Sequence, residues 1–224
     1  MMQERFSRNL PALTAAEQQS LAEKHVLILG CGGLGGFLSE YLVRLGVGEI
    51  TTADPDRFEE SNLNRQLLAT TASLGGSKAQ AAKQRAEAIN PAVRFHAAET
   101  AFCRENAAAL LTGKDLVLDA LDNAADRLLL EDACADAGVT IVHGAIHGWT
   151  AQVAVVTPGN GLLHRLYRAE SADVDKSCLV FTPAWCAAVQ AAEAAKLLTG
   201  RAPALENQLL VADLMTLDTV IIAP

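Results

Sequence analysis

Four glycines in six residues, Gly30-Cys31-Gly32-Gly33-Leu34-Gly35, constrain this chain more than any other feature. Before them His25 to Leu29 is short, mostly branched and apolar, the pattern of a strand buried on both faces of a parallel sheet. After them Leu34 to Leu45 carries apolar residues at helical spacing, and Gly46 and Gly48 stop that helix before a second strand from Glu49 to Ala53. Glycines between a buried strand and a helix let the backbone turn tightly and leave the helix's first N–H groups to a phosphate. Gly30, Gly32, Gly33 and Gly35 therefore read as a nucleotide loop. Asp54 ends the second strand about twenty residues on, where a carboxylate accepts hydrogen bonds from a ribose.

The alternation continues. Lys78 to Ile89 reads as a helix ended by Asn90-Pro91, with further helices at Glu105 to Leu111 and Ala124 to Ala137. Strands fit Val93 to Ala97, Leu116 to Ala120, Thr140 to Ala145 and Gln152 to Val156. A polar helix, Thr14 to Lys24, precedes the core, with Thr14 and Glu17 spaced as a capping box. Leu162 to Ser177 is charged and without period, the pattern of a mobile loop. A last helix, Pro183 to Leu198, and two short strands, Gln208 to Val211 and Thr219 to Ile222, follow. The fold class is Rossmann-like α/β: a mainly parallel sheet with helices on both faces and antiparallel C-terminal strands. The chain divides into a helical arm at 1–24, a nucleotide-binding core at 25–157 and a C-terminal part at 158–224, within a single domain.

A net charge of -8 argues against nucleic acid and anionic membranes as partners, since both need clustered Lys and Arg. No apolar run is long and dry enough for a signal peptide or a membrane span, which points to the cytoplasm. Cys31, Cys103, Cys134, Cys178 and Cys186 include no C-x-x-C pair, so neither a disulfide framework nor a structural zinc is expected.

Taken alone, the glycine loop fits an NAD-dependent oxidoreductase. Arg65 and Lys78 change that reading, because a hydride-transfer enzyme does not need cations behind the loop, whereas expulsion of pyrophosphate builds charge that fixed cations stabilise. The string Ser61-Asn62-Leu63-Asn64-Arg65-Gln66, the glycine loop, Lys78, and Asp119-Ala120-Leu121-Asp122-Asn123 followed by Arg127 together resemble the ThiF/MoeB/HesA family, relatives of the adenylation domain of ubiquitin-activating enzymes.

The resemblance implies an ATP-dependent adenylyltransferase that activates the C-terminal glycine of a ubiquitin-like sulfur-carrier protein, in a route to thiamine, molybdopterin or a related product. It implies phosphates at Gly33, Arg65 and Lys78, ribose at Asp54, further nucleotide contacts at Asn62, Gln66 and Asn123, and magnesium at Asp122. Asp122-Asn123 also suits a helix N-cap before Ala124. Arg5-Phe6-Ser7-Arg8 resembles a family segment whose second arginine reaches the site of the other subunit, which implies a homodimer with Arg8 acting in trans. Cys178 aligns with a cysteine that in some members bonds to the carrier, and its place beside Lys176 near a helix start suggests a lowered pKa. A non-catalytic carrier-binding scaffold is the remaining alternative. Cys186, Trp149 and Trp185 read as packing, and His143 and His147 as core or turn residues. Leu163-His164-Arg165-Leu166 stands where many relatives carry C-x-x-C, a second sign against zinc.

Overall fold

A computed structural model describes residues 4–167 and 177–224. Eight strands form one sheet: β1 (His25–Leu29), β2 (Glu49–Ala53), β3 (Arg94–Ala98), β4 (Leu116–Asp119), β5 (Ile141–His147), β6 (Thr150–Val156), β7 (Leu209–Asp213) and β8 (Asp218–Ile222). Their order is β3-β2-β1-β4-β5-β6-β7-β8. The first five are parallel, and β6, β7 and β8 continue the sheet antiparallel from β5.

Side chains alternate across a strand, and the cores follow that period. Val26 and Ile28 of β1 join Leu118 and Val142 on one face, under α2 (Gly33–Leu45), α3 (Lys78–Ile89) and α7 (Phe181–Leu198). Leu27 and Leu29 join Val117 and Ile141 on the other, under α4 (Arg104–Leu111) and α5 (Ala124–Ala137). A strand buried on both faces can be apolar throughout, which is why the sequence of β1 shows no alternation.

Register decides where chemistry can occur. Leu29 lies beside both Ala53 and Asp119, so the carboxyl ends of β1, β2 and β4 are level. The chain runs outward from β1 through β2 to β3 on one side and through β4 to β5 on the other. The crevice between β1 and β4 is thus the topological switch point where α/β sheets bind ligands.

Most expected elements stand within a residue or two of their predicted bounds; the arm helix expected over Thr14 to Lys24 ends three residues early, at Leu21, and two other regions differ. β5 and β6 are longer than predicted and meet at a tight turn, His147 pairing with Thr150. The stretch expected to be an irregular loop begins instead with a helix, α6 (Leu162–Leu166), in which Leu162 and Leu163 are fully buried. The cause is tertiary: the buried carboxylate of Glu131 accepts the N–H of Leu163 at 3.0 Å and of His164 at 2.8 Å, capping a helix that no local residue caps. Residues 168–176 of that stretch lie outside the described residues.

The polar arm forms α1 (Ala15–Leu21), and its capping box is present: Thr14 Oγ1 accepts from Glu17 N, and Glu17 Oε2 from Thr14 N. Arg201 also grips Glu17, Nε to Oε1 at 2.6 Å, which ties the arm to the chain beyond α7. No helix among the described residues is long and apolar enough to cross a membrane.

The Arg201 hydrogen bond, with the backbone N–H of Thr14, holds the Glu17 carboxyl down at about 2 from an ordinary value of 4.5. A depressed folded-state pKa stabilises above the unfolded value and loses that contribution as pH falls through the folded one. The Tm of Glu17→Gln is therefore expected to lie below that of the wild type at neutral pH. The gap should close between pH 4.5 and about 2, and a gap unchanged at pH 2 by thermal denaturation contradicts this.

Candidate active site

The turn after β1 is closed by two glycines. Gly30 has φ +96°, and a Cβ there would lie 2.6 Å from the carbonyl oxygen of Ala120, just past β4. A Cβ on Gly35 would lie 1.8 Å from the Gly30 oxygen, so the helix starts directly against its own loop. Gly32 and Gly33 differ, since a Cβ on either would meet nothing closer than 3.5 Å. Gly32 is the N-cap of α2 and no side chain bonds the helix start, which leaves its first N–H groups to solvent or an anion.

Asp54 fixes this loop from below. Its Oδ2 accepts the N–H of Cys31 at 2.6 Å and its Oδ1 that of Asp56 at 2.8 Å. Burial pushes the carboxyl above its usual range, against the pull of those two donors and of Lys78. The sequence pattern found the residue but assigned it only a ribose; in the structure it first organises the loop.

The Ser61–Gln66 string forms the wall beside it. Asn62 is buried and its Oδ1 accepts the N–H of Glu59 at 3.1 Å. Arg65 is anchored by the Ser61 oxygen at 2.9 Å and Asn64 Oδ1 at 3.0 Å. Gln66 is 6% exposed, lies under Gly32, and its Oε1 has no hydrogen-bond partner. An orphaned buried polar atom beneath an open glycine turn is what a ligand-binding loop leaves behind. Lys78 opens α3, is buried, and pairs with the exposed carboxylate of Asp56 at 2.8 Å.

Across the crevice, β4 leads into Asp122 and Asn123. Asn123 is the N-cap of α5: its Oδ1 accepts the N–H of Asp126 at 2.9 Å. Its capping role is thus observed, and Asp122 stands exposed just before it. Cys178 lies beside Arg65, with the Cys178 carbonyl accepting from Asn64 Nδ2 at 3.1 Å. Burial pushes its thiol above the usual value, and Arg65 only partly opposes that. This reverses the lowered pKa that the sequence suggested; Lys176 lies outside the described residues.

Arg8 is not part of this constellation. It is exposed, in a 3₁₀ turn over Glu4–Asn9 whose Arg5 bonds Asn90 Oδ1 at 2.5 Å at the end of α3. Phe6 of the same turn covers Gly46 at the carboxyl end of α2. The glycine loop is at the other end of that helix, about 20 Å away for thirteen residues. His143 is fully buried, as expected of a core histidine, and Cys186 and Trp185 pack in or against the core. Trp149, read as packing, is instead 41% exposed, its ring 4.9 Å from that of Phe181.

Fold and residues together define an α/β domain of the adenylating class. The chain belongs to the ThiF family, whose model matches residues 6–223. A sulfur carrier protein adenylyltransferase of Thermus thermophilus is 37% identical over 216 residues, 91% of this chain and 80% of the relative. The SAMP-activating enzyme E1 of Haloferax volcanii is 33% identical over 228 residues, 97% and 84% respectively. The probable adenylyltransferase/sulfurtransferase MoeZ of Mycobacterium tuberculosis is 38% identical over 93% of this chain, which spans 57% of it. The crystal structure of E. coli MccB with succinimide superposes with a TM-score of 0.86 at 20% identity, over 98% of this chain and 71% of that one, a likeness of fold. Family and relatives make adenylyl transfer the activity class and imply use of ATP, which sets the oxidoreductase reading aside.

The glycines separate into two kinds by the space around them. Gly35→Ala is expected to lower the unfolding free energy by about 2–3 kcal/mol, since backbone must move to admit the methyl group. Gly33→Ala should leave it within about 0.5 kcal/mol. Denaturant unfolding of both variants checks this, and equal losses would contradict the assignment of the two roles.

Proposed function

We propose that this protein adenylates the C-terminal glycine carboxylate of a ubiquitin-like sulfur-carrier protein, releasing pyrophosphate. The observation that carries the reading is the open, uncapped start of α2 at Gly32 and Gly33, with the buried Gln66 under Gly32 and Lys78 within electrostatic reach of Cys31 in the same loop; the reading brings Arg65 and Asp122 to that start. ATP lies with its phosphates on those N–H groups, and Lys78 exchanges Asp56 for a phosphate oxygen. Asp54, Asn62, Gln66 and Asn123 line the nucleoside side, where the orphaned Gln66 Oε1 gains a donor.

A carrier carboxylate is already ionised at neutral pH and needs no base. One of its oxygens attacks the α-phosphorus, the bond from that phosphorus to the bridging oxygen breaks, and pyrophosphate leaves with the electron pair. Positioning and charge stabilisation carry the rate, through Arg65, Lys78 and the α2 dipole. The donor chemistry also suits magnesium: Asp122 offers hard carboxylate oxygens, and the phosphates would supply the rest. Asp122 would hold the ion, which neutralises charge on the phosphates.

Arg8 fits the same scheme only from a second copy, because its own loop is a helix-length away; a homodimer follows. Residues 158–224 supply the carrier-binding part; Cys178, once its thiol has given up its proton, takes the acyl group from the adenylate as a thioester and AMP leaves, a step that the raised thiol pKa makes slow until the site changes around it. ATP use and a net charge of -8 fit a cytoplasmic enzyme.

The test is ATP–pyrophosphate exchange with purified carriers ending in Gly-Gly. Wild type should exchange label only with its carrier, and Asp122→Ala, Arg65→Ala and Lys78→Ala should each lose about 10²-fold or more. No carrier-dependent exchange by wild type, or full exchange by Asp122→Ala, overturns the reading. Arg8→Ala and Asp122→Ala, each inactive alone, should regain about a quarter of wild-type activity when mixed, since half the dimers then hold one complete site. No recovery on mixing rules out action in trans.

A further inference from the structure

Asp119, the last residue of β4, is fully buried and bonded on every side. Its Oδ1 accepts the N–H of Leu121 at 2.9 Å, and its backbone oxygen accepts from Gln190 Nε2 of α7 at 2.9 Å. Its Oδ2 faces His143 Nδ1 at 2.7 Å and Arg127 Nε at 3.6 Å. Arg127, from α5, reaches back to the Leu121 carbonyl with Nη2 at 2.5 Å. Leu121 is therefore held at both its N–H and its C=O by two side chains that are paired with each other. The next residue is Asp122.

The order of protons along this chain of groups is set. A carboxylate facing a cation can only accept, so His143 Nδ1 carries a hydrogen. Burial pushes the imidazole below its usual range despite Asp119, so the ring is neutral and its Nε2 accepts. The donor is the hydroxyl of Tyr167, 3.1 Å away, whose phenol burial pushes up to about 12. The Tyr167 ring also lies under the Arg127 guanidinium, 5.1 Å from its centre, and edge-on to His143 at 5.8 Å. Tyr167 thus touches Arg127, which holds the Leu121 C=O, and His143, whose partner Asp119 holds the Leu121 N–H, while the reaction above gives it no contact with ATP or carrier.

We propose that Tyr167 is a positioning residue for adenylation: its hydroxyl, through His143 and Asp119, holds the Leu121 turn and so sets the place of the Asp122 carboxylate. The proposal rests on the assignment of Asp122 to magnesium, and it is separable from it by experiment. A network that only stabilised the core would spread the effect of its loss over the whole molecule. A positioning network confines it to one turn.

Tyr167→Phe keeps the ring and its place beside Arg127 and removes only the hydroxyl. Two measurements are made on it: amide hydrogen exchange of the protein without ligand, and the magnesium concentration that half-saturates carrier-dependent pyrophosphate exchange. Exchange at the Leu121 and Asp122 amides is expected to quicken about tenfold while that of β1 stays at wild-type values. Half-saturating magnesium should rise several-fold, with the KM for carrier unchanged. Ile50→Val, a core change away from the network, should leave both readouts at wild-type values.

Wild-type protection at Leu121 in Tyr167→Phe overturns the proposal, as does uniform loss of protection throughout the chain. A loosened turn with unchanged magnesium dependence overturns its functional half. If the wild type shows no pyrophosphate exchange at all, the proposed function fails, and hydrogen exchange still decides whether Tyr167 holds the turn.

Discussion

One buried carboxylate governs the business end of this molecule. Asp54 takes the N–H of Cys31 from one strand end and that of Asp56 from its own loop, and so fixes the glycine turn against the carboxyl end of β2. Gly30 and Gly35 then let α2 begin almost in contact with the Ala120 carbonyl beyond β4. Strands β1, β2 and β4, level at Leu29, Ala53 and Asp119, thus deliver three loops to one crevice. Without the latch at Asp54, the cations of the 61–78 segment would have no fixed reference to the helix start they flank.

Local signals along the chain reveal what depends on near neighbours. The bounds of β1, β2, α3 and α5 follow from short apolar runs, the capping Asn123 and the stop at Asn90; the caps at Ser77 and Gly138 came only with the structure. The tight glycine turn and the place of Asp54 at the end of β2 were legible for the same reason, since both depend on spacing along the chain. What was hidden depends on residues far apart. Helix α6 exists because Glu131, over thirty positions away, caps it, and no pattern within 162–166 announces that. Asp119 was visible as part of a motif, but its bonds to His143, Arg127 and Leu121 arise only when β4, β5 and α5 meet. The environment of Cys178 was misjudged for a related reason: burial outweighs Arg65, and burial cannot be read from a thiol's immediate neighbours.

The sheet divides into two halves of different character. Its parallel half is covered on both faces at β1, β2, β4 and β5, with β3 as a partly exposed edge, and carries the loops of the site. Its antiparallel half ends in β8, all five residues of which are exposed among the described residues, including Val220, Ile221 and Ile222. Helix α7 joins the halves, packing on β5 and β6 while Pro183 in its first turn lies against Gly33 of the glycine loop.

The bare start of α2 has a consequence beyond binding. An Asp or Ser at position 32 would cap the helix and raise its intrinsic stability, and there is space there for the added atoms. Such a side chain, however, would occupy the N–H groups an anion uses, so a self-satisfied helix and a receptive one are mutually exclusive at this point. The domain is built slightly less stable than its fold allows, and on the proposed function the nucleotide would supply the missing cap and return that stability through mass action.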